Sequence, residues 1–412
     1  MNRRTLLKNG ALAAFGFGIG GCATARTARR PAAPSQPKLV VSLPRVEASW
    51  DRVIRTTVGL RPHRDSGFVL KAEKLDAKTV IHNYGHGGAG MSLSWGTGFM
   101  VAELAMEHSE RDVAVIGCGA AGLTAARQLQ RRGFNVTIYA MSVPPDTTSN
   151  MSLAGFTPTS GLVENDQRTP RWDAQFRRAA EIAYTQLQLL AGPNYGVSWI
   201  YTYSPTDEIR PGDSNDLLPS QLRLGQMVLG PGEHPFRAKY AIRSSSIRIE
   251  PSIYLDAIVR DFLLFGGKIV IRKFDTKRDL MSLSESIIVN CTGLGARSLF
   301  DDEELIPLKG QLTHFVPQPE INYRTASAPG TPNGPDGIGL HMMPRMDGIA
   351  VGGTSERGVW TLEPNDEARK RIVGQHIQLF AGMRGSRKAD QFTRTETPSE
   401  IPSLASFFGL SS

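Results

Sequence analysis

The chain predicts an α/β fold, and three observations carry that reading. First, residues 112–139 (DVAVIGCGAAGLTAARQLQRRGFNVTIY) read as strand, tight turn, helix and returning strand. Second, residues 80–98 (VIHNYGHGGAGMSLSWGTG) run a β-branched pair into a loop with glycine at 85, 87, 88 and 90. Third, helical and strand patterns alternate through the rest of the chain.

In the first segment Val113–Ile116 is a short buried strand. Gly117, Gly119 and Gly122 form G-x-G-x-x-G at its end, and Leu123, Ala126 and Leu129 mark one helix face. In that context the glycines have distinct tasks. Gly117 permits the turn, Gly119 admits a pyrophosphate to backbone, and Gly122 packs helix on strand. This predicts a Rossmann-like dinucleotide site over Gly117, Cys118, Gly119, Ala120, Ala121 and Gly122. The acidic residue that usually holds the ribose is missing. Strand two ends Tyr139-Ala140-Met141-Ser142, and Asp146 comes too late to replace it.

The second segment is unusual in preceding that turn. Glycine at this density lets backbone approach a ligand. Ser92 and the apolar run Trp95–Leu104 predict a helix, whose N-terminus offers free N–H groups. Further helices are expected at 172–192, at 253 onward and at 365–383. Strands are expected at 52–61, Lys268–Ile271 and Ile287–Asn290. The last runs into a second glycine turn, Cys291-Thr292-Gly293-Leu294-Gly295-Ala296. Residues 318–340, rich in Pro, Gly and Asn, predict a long loop of the kind that forms lids.

With 412 residues the chain can bury a real core, and 40% hydrophobic and 21% charged residues are ordinary for a globular protein. The net charge of +8 is not a nucleic-acid signal. Arg3, Arg4, Lys8, Arg26, Arg29 and Arg30 supply six of those charges within the first 30 residues, where there is no acid. Asn2–Lys8 resembles a twin-arginine export signal, and Ile19-Gly20-Gly21-Cys22 a lipoprotein box that would lipidate Cys22. We therefore expect an exported, periplasmic protein, with a lipid anchor at Cys22 as a further possibility. Of the other cysteines, neither Cys118 nor Cys291 has metal spacing, and no metal is expected.

The expected organisation is a signal at 1–30 and a linker at 31–47. A cofactor-binding domain covers 48–160 and resumes at 246–306. A smaller α+β substrate domain covers 161–245 and resumes at 307–385. A tail follows at 386–412.

Together these segments resemble the D-amino-acid oxidase family of FAD enzymes, which includes D-aspartate oxidase. IHNYGHGGAGMSLSWG is similar to that family's C-terminal signature and VIGCGAAGL to its FAD fingerprint. YLDAIVRDFLLFGGKIVIRKF, IIVNCTGLGARSLF with PLKGQ, and AVGGTSERGVW resemble its middle segments in order. The C-terminal signature here precedes the fingerprint, so the chain reads as a circular permutation joined at Ser109-Glu110-Arg111. Former ends joined by so short a link must be neighbours in the fold.

The resemblance implies roles. Arg61 matches the arginine that binds the substrate carboxylate, where a planar guanidinium gives an orienting contact; read alone it is a surface arginine before a proline. Gly88 matches a carbonyl that accepts from the substrate amine. Gly87, Gly88, Ala89, Gly90, Met91 and Ser92 match the loop at the flavin pyrimidine ring, Ser92 replacing threonine. Thr147, Thr148, Ser149, Ala154 and Gly155 match a run around the FAD pyrophosphate and flavin. Phe274 offers backbone to adenine, and Thr292 sits in the second glycine turn. The lid departs from the family: its two tyrosines align with Gly337 and His341, and a glutamine after the Ala-Gly pair is absent. His341 has two readings, a partner for a carboxylate that favours anionic substrates if cationic, or an exposed loop histidine. His82 and His86 read as structural.

The implied activity is FAD-dependent oxidative deamination of a D-amino acid, or a similar amino acid, to a 2-oxo acid, ammonia and hydrogen peroxide. The acceptor is molecular oxygen or another electron acceptor. Rival readings are a dehydrogenase feeding a membrane acceptor, an oxidase of glycine-like or N-methylated amino acids, and an FAD-binding protein without oxidase activity. An NAD-dependent dehydrogenase is disfavoured by the HNYGHGG segment.

Overall fold

The structure is a computed structural model that describes residues 40–153, 155–209, 217–222, 225–327 and 339–384. The expected signal, the tail, Cys22, Ala154 and Gly337 lie outside the described residues.

In chain order the strands are β1 (Val53–His63), β2 (Val69–Leu75), β3 (Lys78–Tyr84), β4 (Asp112–Ile116), β5 (Asn135–Ala140), β6 (Val197–Thr206), β7 (Gln226–Leu229) and β8 (Tyr240–Ile249). They continue as β9 (Lys268–Ile271), β10 (Ile287–Asn290), β11 (Ile306–Phe315), β12 (Tyr323–Ala326), β13 (His341–Arg345), β14 (Gly348–Gly352) and β15 (Glu356–Arg357). The helices are α1 (Gly90–Met106), α2 (Ala120–Gln130), α3 (Pro170–Leu189), α4 (Pro251–Leu264), α5 (Lys277–Met281), α6 (Ala296–Phe300) and α7 (Asp366–Ala381).

Two sheets organise them. A six-stranded sheet runs β2-β3-β10-β4-β5-β9, parallel from β3 to β9 with β2 antiparallel at one edge. Its central strands are buried on both faces and read as continuous β-branched runs, as parallel strands under helices must. A nine-stranded sheet follows the order β1-β11-β14-β13-β12-β6-β8-β7, with β15 on β11.

Helix α1 is apolar nearly all round and correspondingly buried. It fits because two of its positions lack side chains. A Cβ on Gly96 would stand 1.9 Å from the Ala179 carbonyl oxygen on α3, and one on Gly98 2.9 Å from the Ala125 nitrogen on α2. The link from α1 to β4 is closed by Arg111, whose Nη1 donates to the carbonyls of His108, Ser109 and Glu110. Thr169 caps α3 with Pro170 at its first position, and Thr276 and Asp279 form a capping box on α5.

Three expectations on organisation need correction. Strand β1 belongs to the nine-stranded sheet, pairing with β11 along its whole length, so the cofactor domain begins near β2 rather than at 48. Residues 40–47 are not a free linker: Leu43 and Val46 are buried in the core beside the second sheet, and the Tyr323 hydroxyl donates to the Pro44 carbonyl. The expected loop at 318–340 contains strand β12, pairing β6 on one side and β13 on the other. Its alternation of polar and β-forming residues, Tyr323-Arg324-Thr325-Ala326, was masked by the surrounding prolines and glycines.

Candidate cofactor and substrate site

The glycine turn after β4 is shaped for a ligand that lies against backbone. Gly117 adopts φ +113°, and a Cβ there would stand 2.4 Å from the Cys291 carbonyl oxygen. A Cβ on Gly122 would stand 2.0 Å from the Gly117 carbonyl. The turn after β4 and the second turn after β10 are thereby pressed together, as parallel neighbours in one sheet allow. Gly119 is the N-cap of α2 and makes no side-chain cap bond of its own, and the positive end of the helix lies at Ala120 and Ala121. The Ala120 N–H donates to Ser149 Oγ at 3.0 Å, which brings the 147–149 run to this point. Cys118 faces the core with its thiol pushed up to about 12 by burial, so it contributes backbone only.

Around the turn the residues divide by task. Thr147 Oγ1 is buried and donates to Asn150 Oδ1, while Thr148 is exposed. Thr292 donates from both its backbone N–H and its hydroxyl to Asn290 Oδ1, fixing the second turn. Phe274 is buried edge-on to Tyr139 and lies under the Arg272 guanidinium. Tyr139, standing where an acid is usual, donates its hydroxyl to Glu285.

The 80–98 segment reaches the same region from β3. Its helix begins at Gly90, two residues earlier than Ser92 predicts, after a 3-10 turn over Gly87–Ala89. Gly87 has φ +52°, and a Cβ on it would fall 1.7 Å from the Gly161 carbonyl; one on Gly88 would fall 2.7 Å from that of Ser160. Ser92 is buried inside α1. Its hydroxyl donates to the Gly155 carbonyl and accepts from the Thr157 N–H, clamping the 155–157 segment. Ala89 and Met91 are buried, and a Cβ on Gly90 would make only ordinary contact with His86 Cβ, at 3.8 Å. His86 stacks on Phe68 and bonds Thr97, and His82 pairs with Glu73. Both histidines are structural.

Arg61 sits on β1, opposite Leu308 of β11. Its Nε donates to the Leu308 carbonyl at 3.1 Å and its Nη2 to the Thr354 carbonyl at 3.0 Å. Both partners are neutral, and burial alone lowers the guanidinium to about 10. Among the described residues no carboxylate pairs with it. Half-buried and tied to two neutral carbonyls, Arg61 is not free in solvent and keeps its charge for an incoming anion.

His341 opens β13. Burial first, then the Arg324 guanidinium, lowers it to about 3, so it is neutral rather than cationic, and it is not an exposed loop residue. Its Nδ1 lies 3.1 Å from the Gly339 carbonyl, which only accepts; Nδ1 therefore carries the proton and Nε2 is left as an acceptor. Sequence reading did not single out Arg324, a second half-buried guanidinium, whose Nε is buried without a hydrogen-bond partner. Its signal, an arginine between strand-forming residues, was hidden inside the expected loop. His63, Asp65 and Glu164 also converge, with donor atoms within 4.8 Å of one another. Arg357 pairs with both carboxylates, so this is an ion-pair network joining β1 to β15.

A mostly parallel sheet with a glycine turn into a helix N-terminus, and a mixed sheet with an arginine on neutral carbonyls, are the parts of a dinucleotide-dependent oxidoreductase. The chain belongs to the DAO family of FAD-dependent oxidoreductases: residues 19–104 and 112–402 match the family described as "DAO: FAD dependent oxidoreductase". It is similar to a D-amino acid oxidase of Dugesia ryukyuensis, 27% identical over 281 residues (66% of this chain, 78% of that one). It is likewise similar to the D-aspartate oxidase of Homo sapiens, 25% identical over 283 residues (66% and 77%). Among solved structures, glycine oxidase from Geobacillus kaustophilus aligns over 65% of this chain and 77% of that one, at 17% identity and a TM-score of 0.48. The cofactor is FAD, and the site fits it. Gly117 and Gly122 let the turn pack against backbone where a Cβ would collide, and Gly119 leaves the helix end bare up to the Ser149 hydroxyl.

Proposed function

We propose that the protein is an exported oxidase that deaminates a D-amino acid, or a similar amino acid, to a 2-oxo acid, ammonia and hydrogen peroxide. The single observation that carries this reading is Arg61, a half-buried guanidinium on neutral carbonyls with no anionic partner among the described residues. Bound FAD supplies a two-electron acceptor for hydride from the substrate Cα. Gly117, Gly119, Ala120, Gly122 and Ser149 would hold its phosphates, and the loop from Gly87 to Ser92 its ring.

The chain's own residues then bind and orient. Arg61 fixes the α-carboxylate and so the direction in which Cα–H points. The Gly88 carbonyl accepts from the substrate amine. No side-chain base is needed if the amine binds neutral.

The circular permutation belongs to the same proposal. Its support is that the family match parts into two stretches at 105–111, the link closed by Arg111. Export rests on the Asn2–Lys8 segment and Cys22. Among the described residues no helix is long and apolar enough to cross a membrane.

A peroxidase-coupled assay with paired D- and L-amino acids tests the reading. Peroxide from D-isomers is expected. Substrate oxidation with an artificial dye but without peroxide would replace the oxidase by a dehydrogenase.

A further inference from the structure

A line of polar side chains crosses the six-stranded sheet from its edge to the glycine turns. Glu73 stands on the edge strand β2, His82 on β3 and Asn290 on β10. His82 and Asn290 are register partners, and both are buried. Asn290 Oδ1 accepts from the Thr292 N–H at 3.2 Å and from the Thr292 hydroxyl at 2.7 Å. A backbone N–H can only donate, so this end of the amide is its oxygen. Nδ2 therefore faces His82 Nδ1, at 3.1 Å, and Nδ1 must accept. The imidazole proton then sits on Nε2, which lies 3.0 Å from Glu73 Oε1. Each group in the line fixes the state of the next.

The line ends against the cofactor turn. Cys291, between Asn290 and Thr292, donates its N–H to the Ile116 carbonyl of β4 at 2.9 Å. Its own carbonyl oxygen would stand 2.4 Å from a Cβ on Gly117, and its Cβ 3.5 Å from one on Gly122. The second glycine turn is therefore the backing on which G-x-G-x-x-G is shaped. A shift at Thr292 passes to Gly117 through backbone in contact.

We infer that His82 and Glu73 are positioning residues for the cofactor: through Asn290 they hold the second glycine turn in the shape that binds FAD, and a proton on His82 releases it. The FAD site is all that this requires, and the proposed oxidation plays no part. Donor and acceptor counting gives the switch. Neutral His82 accepts at Nδ1, whereas an imidazolium donates from both nitrogens and would point an N–H at the Asn290 NH2. Relief comes when Asn290 rotates its oxygen to His82, which leaves both Thr292 donors unpaired. The groups facing His82 set the pH at which this happens. Burial comes first and lowers the imidazole from its ordinary 6.5, with Lys71 of β2 adding to it, while Glu73 and Asp302 pull the other way. Tyr84 and Phe300 enclose the ring edge-on. The neutral form prevails at pH 7, and the proton arrives in acid.

The test uses the FAD-loaded protein and no substrate. The holoprotein is diluted at pH 7, 6 and 5, free FAD is separated by ultrafiltration to give Kd, and far-UV circular dichroism is recorded on the same samples. Kd is expected to rise at least about tenfold from pH 7 to 5 with the dichroism unchanged. His82→Asn keeps an acceptor for Asn290 but takes no proton, so it should hold FAD at pH 7 and lose the pH dependence. Glu73→Gln removes the charge that favours the proton, so it should move the rise to lower pH. His82→Leu leaves Asn290 Nδ2 without its acceptor and should weaken FAD at every pH. A level Kd in the unaltered protein overturns the inference. So does FAD loss that tracks the dichroism, or a rise that His82→Asn keeps. Should His82→Asn fail to fold, Glu73→Gln decides, at an exposed position on an edge strand, and an unmoved rise there overturns the inference. No turnover is measured, so failure here leaves the oxidase reading standing.

Discussion

Arg61 donates from Nη2 to the carbonyl oxygen of Thr354 at 3.0 Å, and Thr354 is itself held from β11. The Gln311 N–H donates to the Thr354 hydroxyl, and the Gln311 side chain exchanges two hydrogen bonds with Asn365, the N-cap of α7. The arginine is thus aimed by a chain of bonds running from a helix cap, through a strand, to the site. Removing it should abolish orientation without unfolding the sheet. Arg61→Ala is expected to lower kcat/KM by about a thousandfold, near 4 kcal/mol of transition-state binding. Arg61→Lys should recover little, because an ammonium cannot give the planar paired contact. A loss under tenfold in Arg61→Ala would move the carboxylate elsewhere.

Thr354→Val probes the support rather than the contact. The backbone carbonyl remains, but the hydroxyl that accepts from Gln311 is lost. We expect KM to rise several-fold with FAD retained. An unchanged KM would show that Arg61 holds its direction without this bond.

The Gly87 loop leaves no room for a side chain. Gly87→Ala would drive a methyl group to within 1.7 Å of the Gly161 carbonyl at a positive φ. The variant should purify with FAD largely lost, read as the ratio of flavin to protein absorbance. Gly96→Ala should instead destabilise the fold by about 3 kcal/mol through overpacking of α1 on α3, measured by denaturant unfolding. Full FAD retention in Gly87→Ala would mean the loop does not border the cofactor.

Acid should weaken the protein early. His86 and His376 are lowered to about 4 and His341 to about 3 from the ordinary 6.5, burial being the first cause in each, and His314 is lowered in the same direction. Below pH 6.5 the unfolded chain takes up protons that the folded chain refuses. Stability present above pH 6.5 is therefore lost as pH falls towards 4, each group adding about 1.4 kcal/mol per pH unit to the slope. Thermal unfolding should show Tm falling steeply from pH 7 to 5. A flat Tm across that range would contradict the neutral histidines.

The cofactor half of the site was legible because its chemistry is written locally. G-x-G-x-x-G sits between a strand and a helix, and the structure places Gly117, Gly119 and Gly122 as that spacing requires. Arg61 was found through its neighbours in the motif. Its carbonyl cradle was not, because Leu308 on β11 and Thr354 between β14 and β15 lie more than 240 residues away in sequence. Arg324 and the strand around it were hidden by local composition: four residues of β-pattern lie between prolines and glycines, and pairing to β6 and β13 decides their state. The charge of His341 stayed open in the sequence for the same kind of reason. A histidine's ionisation depends on what encloses it, and here that is burial first, then the Arg324 guanidinium from a neighbouring strand.

The central claim is best tested anaerobically. The FAD-loaded protein, without its first 30 residues, is mixed with D- and L-amino acids while the flavin absorbance is recorded. The account predicts bleaching by D-isomers and none in Arg61→Ala. A bound flavin that no amino acid reduces, or one reduced equally well without Arg61, would contradict it.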